Sequence, residues 1–175
     1  MLGRLADAYI DWRVNVFRAK SRKRINKYGW TATYVGDEGS GQLDFAYSIG
    51  FSDYGAPELL VFNLDPIWVN HVFWEMFERV KADKPPVHGE RYVCPEPDTG
   101  GFEVTFLEAE HPDIWDKYVF DAMAYDREQG RSGKPAVMQM VWPSSETFQY
   151  PWDEDCPRTV SDHQPPLWTA PPLNG

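Results

Sequence analysis

The run Leu59–Leu64 (LLVFNL) is nearly continuous in apolar residues, and it limits the fold more than any other segment. A short run of this kind reads as a strand, and a strand apolar on both faces has to be covered on both. Its neighbours supply the cover. Asp65-Pro66 follows at once, an N-cap residue and then a proline suited to the first helical position. Val69, Val72, Phe73, Met76 and Val80 recur at helical spacing as far as Lys84-Pro85-Pro86. Upstream, Trp30–Val35 (WTATYV) and Leu43–Ile49 (LDFAYSI) read as a hairpin around the turn cluster GDEGSG. In the second run Leu43, Phe45, Tyr47 and Ile49 share one face.

Downstream, Phe102–Ala109 alternates as a strand, Ala136–Trp142 is a last strand stopped by Pro143, and Arg91–Cys94 has weaker strand character. His111-Pro112-Asp113 opens a helix over 112–129 with Trp115, Tyr118, Val119 and Ala122 on its inner face, closed by Gly130 and Gly133. At the N-terminus, Leu2, Leu5, Tyr9, Trp12 and Val16 make one apolar stripe along a helix over 3–26. The tail from 143 carries seven prolines in 33 residues. That density predicts an extended path, with the aromatics of 143–153 lying against the body. The expected fold is therefore α+β: a mostly antiparallel sheet of five or six strands packed by two helices. An amphipathic N-terminal helix and a proline-rich C-terminal wrap complete it. The organisation read from this is a basic helix at 1–27, a single domain at 28–153 and a tail at 154–175.

Charge is unevenly spread along this plan. Residues 1–27 hold eight basic and two acidic residues, +6, while 28–175 hold nine basic and 25 acidic, −16. An acidic body of that size repels phosphates, so no nucleic-acid partner is expected. It attracts a basic protein surface, and the N-terminal stripe offers a seam for self-association. No run approaches the ~18 apolar residues of a membrane span. The N-terminal residues have no secretory pattern, and the two cysteines, Cys94 and Cys156, lack CxxC spacing. A reducing, cytoplasmic location is the expectation. Cys156 and His163 lack two further ligands nearby, so neither a metal nor a cofactor is expected.

Five motifs in order carry a resemblance. They are Ile25-x-x-Tyr28-Gly29-Trp30; Phe45-Ala46-Tyr47-Ser48-Ile49-Gly50-Phe51; Pro57-Glu58-Leu59-Leu60-Val61; Gln139-Met140-Val141-Trp142-Pro143; and Pro151-Trp152-Asp153. Over about residues 25–153 the chain resembles a bacterial family known as domain of unknown function 4262. The resemblance implies a fold unit and a compartment, and no reaction. A looser likeness, of 43–64 to the flavin-binding split barrels, meets the objection that this segment has no Arg or Lys for a phosphate.

The motif FAYSIG…PELL holds the best site candidates. Glu58 enters an apolar strand, so its carboxylate needs hydrogen bonds or an open strand end. As a site residue it would act as base or ligand beside Tyr47 and Ser48. As a structural residue it would accept N–H bonds from the turn 50–56. His88, in the loop PPVHGERY, and Gln139 and Trp142, in the last strand, complete the candidates. No catalytic signature joins them. The chain reads as a non-enzymatic interaction module, for instance an immunity-type inhibitor of a basic toxin or effector. The alternative is a small-ligand or hydrolase-like site at Tyr47, Ser48, Glu58 and His88.

Overall fold

The strand expected over 59–64 forms the inside of a six-stranded sheet. The computed structural model describes residues 2–36, 39, 41–95 and 102–170, and for 2–13 the backbone alone. The elements are α1 (Leu2–Tyr28), β1 (Thr31–Val35), β2 (Phe45–Ile49), a 3₁₀ turn (Phe51–Tyr54), β3 (Glu58–Phe62), α2 (Pro66–Lys81), β4 (Arg91–Cys94), β5 (Phe102–Ala109), a π-helical turn (Ile114–Tyr118), α3 (Phe120–Glu128), β6 (Val137–Val141) and α4 (Arg158–Ser161). The strand order is β1-β2-β3-β6-β5-β4. Every pairing is antiparallel except β3 with β6, where Glu58 aligns with Val137 and Val61 with Met140. The fold is the expected α+β architecture.

Both faces of β3 are covered. On one, Ala46, Leu59, Val61, Val104, Phe106 and Met140 pack against Val69, Val72, Phe73, Met76 and Phe77 of α2. Asp65 caps that helix through its side chain, which accepts from Ile67 N at 2.8 Å. On the other, Phe45, Tyr47, Ile49, Leu60 and Phe62 meet Ile25 of α1, Ile114, Val119, Ala122 and Met123, with Leu167 from the tail. Phe45, Tyr47 and Ile49 share a face as their alternation requires, and Ala46 and Ser48 on the other face of β2 are buried as well. The stripe of Leu2, Leu5, Tyr9 and Trp12 lies outside the described side chains, as do residues 37, 38 and 40 of the hairpin connection.

The helix expected over 112–129 is two pieces. A π turn ends at Tyr118, and Val119 breaks the axis before α3. On either side of the break, Ile114, Val119 and Ala122 all reach the same core, although on one straight helix Ile114 and Val119 would not share a face. The tail also differs from a purely extended path. It contains α4, and Trp168 bridges Ala109 of β5. Tyr150 is buried with Leu107 and Val141, stacks on Trp152 at 4.5 Å and donates to Glu103 Oε1 at 2.7 Å.

Two buried glutamines fasten this tail. Gln139 Nε2 donates to Pro165 O at 2.9 Å, and its Oε1 accepts from Leu167 N at 3.1 Å. The Gln164 amide takes Trp142 N at 3.0 Å and gives to Trp142 O at 2.8 Å, as a strand partner would. Removing one such amide strands buried backbone groups. Gln139→Ala should therefore lower the unfolding free energy by about 1–3 kcal/mol. Urea denaturation checks this, and an unchanged midpoint would show that the tail is held without Gln139, by Gln164 and the aromatics.

Candidate functional site

Glu58 opens β3 at the point where the sheet meets its most crowded turn. The side chain is sealed, 1 % exposed. Its Oε2 accepts from Ser48 Oγ at 2.5 Å, and its Oε1 accepts from Gly50 N at 2.9 Å, Ser52 N at 3.1 Å and Ser52 Oγ at 3.0 Å. Ser48 Oγ in turn accepts from Leu59 N at 2.9 Å. All four donors to the carboxylate come from residues 48–52. The hydroxyl of Ser48 donates to Glu58 and accepts from Leu59 N inside an enclosed turn, so its oxygen is closed to a substrate. Burial raises the carboxyl of Glu58 above its ordinary value of 4.5, and the hydrogen bonds from Ser48, Ser52 and Gly50 pull the other way.

The turn is itself fixed from outside. Gly50 has φ 113°, and a Cβ there would sit 2.7 Å from Gly29 O. Only glycine satisfies both conditions. Arg131 then ties the turn to the far end of α3. Its Nη1 donates to Asp53 Oδ1 at 2.9 Å, its Nη2 to Ser52 Oγ at 3.0 Å, and its Nε to Asp126 Oδ1. Asp126 is buried and also accepts from Gly133 N at 2.9 Å. The sequence signal for Asp126 was available: it continues the inward stripe Val119, Ala122 at helical spacing, where a carboxylate must find partners. Arg131 had no comparable signal, because its partners lie in a distant turn.

The other sequence candidates lie apart. Tyr47 precedes Ser48 on β2 and points to the opposite face, into the cluster with Phe45 and Ile49. His88 accepts from Glu108 N of β5 at 3.1 Å, with β6 between that strand and β3. Gln139 holds the tail, and Trp142 Nε1 donates to Phe62 O at 2.8 Å. The structure thus joins Ser48 with Glu58 and leaves Tyr47, His88, Gln139 and Trp142 in other surroundings.

Of these, Tyr47 is buried and lines a cavity. A cavity of about 540 Å³ lies between the β1–β2 hairpin and the start of α3. Val35, Leu43, Phe45, Tyr118 and Phe120 form its apolar wall, and Thr33, Tyr47 and Asp121 its polar end. Tyr47 Oη donates to Asp121 Oδ2 at 3.1 Å and accepts from Asp121 N at 3.3 Å. Burial first, and then the Asp121 carboxylate, push the phenol far above its ordinary value of 10.0, so it stays protonated and donating. Thr33 Oγ1 lies beside that phenol without hydrogen-bond geometry, buried and unpaired. Arg18 of α1 approaches Asp121 at 3.6 Å, and at the rim Lys117 is held by Asp113 at 2.8 Å. Asp121, Arg18 and Phe120 were not among the sequence candidates. Among the described residues no His, Cys, Asp or Glu cluster suits a metal ion, and no helix is long and apolar enough to cross a membrane.

A family model described as domain of unknown function (DUF4262) matches residues 24–157, most of the chain, and the chain belongs to this family. No curated protein and no solved structure matches it.

The raised carboxyl of Glu58 gives a pH prediction with a definite sign. Below 4.5 the group is neutral both folded and unfolded. As pH rises through the folded value, the unfolded chain ionises more readily, and stability is lost. The wild type should therefore lose stability relative to Glu58→Gln as pH climbs from 4.5 toward neutrality. Paired urea melts across that range test it; a difference that moves in favour of the wild type would show that the four donors outweigh burial.

Proposed function

We propose that this DUF4262 member is a non-enzymatic binding module whose cavity takes a small organic ligand. One observation carries the reading. The polar groups with catalytic character, Ser48 and Glu58, are hydrogen-bonded inside a sealed turn with no space beside them, whereas Tyr47, its hydroxyl held by Asp121, lines a cavity. At about 540 Å³ the space is within the usual range for ligand sites, and a mostly apolar wall with a few convergent polar groups is their usual make-up.

The ligand class follows from the lining. Phe45, Tyr118 and Phe120 favour a planar apolar body. The charges at the polar end and rim are already paired, Asp121 with Arg18 and Lys117 with Asp113. A neutral head with one hydroxyl or amide, directed at Thr33 and Tyr47, suits that environment better than an ion does.

The charge of −16 on residues 28–175 favours a second reading, in which the body also meets a basic macromolecule, as an immunity-type inhibitor would. The cavity reading is tested by NMR titration of the labelled protein with 2-naphthol and with indole. Shifts should centre on Thr33, Phe45, Tyr47, Tyr118 and Asp121. Tyr47→Phe, which deletes one hydroxyl, should weaken binding about 3- to 10-fold. Shifts centred elsewhere, or equal affinity in the variant, would contradict it.

A further inference from the structure

α1 meets the body along one side of its C-terminal half. Ile25 is buried in the core with Ile49, and Arg18, Ser21 and Arg22 line the seam against α3. Arg18 approaches Asp121 at 3.6 Å, and Arg22 approaches Glu128 at 3.3 Å. At about 100° per residue, Arg18, Ser21 and Arg22 fall within roughly 60° of Ile25 around the helix axis. The other side of the same stretch is exposed and cationic. Lys20, Lys23 and Lys27 stand there, within roughly 40° of the point opposite Ile25.

The helical backbone runs unbroken back to Leu2, about 40 Å in all. The same spacing sets positions Leu2, Leu5, Tyr9, Trp12 and Val16 on the line of those lysines, opposite the body. Ala6, Ile10 and Phe17 widen this line on one side and Ala8 and Ala19 on the other, with Arg13 the one charge among them. Phe17 is 41 % exposed. The apolar sector thus takes in over half of the helix circumference, and Arg4, Asp7, Asp11 and Asn15 fall on the remaining side, that of the body. A seam between two helices needs only the narrow central stripe. A broad apolar sector with a tryptophan and a tyrosine, followed by lysines on the same line, is instead the make-up of a helix lying in a lipid–water interface.

We infer that α1 seats the protein on an anionic lipid surface. The apolar sector of its first half enters the boundary between headgroups and acyl chains, and Lys20, Lys23 and Lys27 meet the anionic headgroups further along. The sign of the charge selects that lipid: residues 1–27 carry +6. The −16 of residues 28–175 opposes the contact only weakly. The body lies on the polar side of α1, a helix diameter of about 10 Å from the surface, beyond the Debye length of about 8 Å at physiological salt. The ion pairs of Arg18 and Arg22 with α3 fix which side of the helix is turned outward. The inference stands on α1 alone, independently of the ligand reading.

Flotation of the full chain with phosphatidylcholine vesicles containing about 30 % phosphatidylserine tests this. The protein should float with them, and binding should fall about 10-fold or more on phosphatidylcholine alone or in about 0.5 M salt. Leu5→Asp combined with Trp12→Asp should abolish flotation, and Lys20→Gln combined with Lys23→Gln should weaken it about 10-fold, with the thermal melt retained in both. Asn15→Ser, on the side of the body, should leave flotation unchanged. No flotation on either vesicle, or flotation indifferent to Leu5→Asp with Trp12→Asp, overturns the inference. So does a dimer in sedimentation velocity that this same pair dissociates and that vesicles leave intact, which would make the sector a seam between two copies.

Discussion

The carboxylate of Glu58 is the group around which the rest of the structure is arranged. A carboxyl group with no access to water needs hydrogen-bond partners for its oxygens, and the chain supplies four donors from five consecutive residues. To deliver them, the segment after β2 must turn sharply at Gly50, and the turn must press against Gly29. That contact welds the α1–β1 junction to the β2–β3 junction. Arg131 then carries the constraint across to α3 through Ser52, Asp53 and Asp126. Motifs far apart in the sequence, Tyr28-Gly29-Trp30, Tyr47-Ser48-Ile49-Gly50 and Pro57-Glu58, are pieces of one knot.

A serine and a glutamate 2.5 Å apart resemble the beginnings of a nucleophilic pair. Here the serine also accepts from Leu59 N, and both side chains are fully enclosed. The proposed ligand site is elsewhere, in the cavity between the β1–β2 hairpin and the start of α3.

Much of the layered plan was legible because periodicity records burial. The face Phe45, Tyr47, Ile49 and the stripe Val69, Val72, Phe73, Met76 follow directly from spacing, and the cap at Asp65 from its residue type. The break at Val119 was not legible, since a π turn followed by a helix keeps apolar residues at nearly helical intervals. The docking of the tail was only half legible. Its aromatics announced packing, but Gln139 and Gln164 look like ordinary polar residues until their backbone partners are known. For the site, the requirement that Glu58 be hydrogen-bonded was readable, and so was the turn that would do it. The cavity was not: it arises where β1, β2 and α3 converge, and its Asp121 has no sequence link to Tyr47.

Glu58 and its turn act as one structural unit. A double-mutant cycle with Ser48→Ala and Glu58→Gln measures this directly, because it isolates the interaction between the two side chains from their separate environments. The expected coupling energy is about 1–3 kcal/mol in unfolding free energy, as for hydrogen-bonded groups in one network. Additive single-variant effects, with coupling near zero, would contradict it and release Glu58 from its structural role.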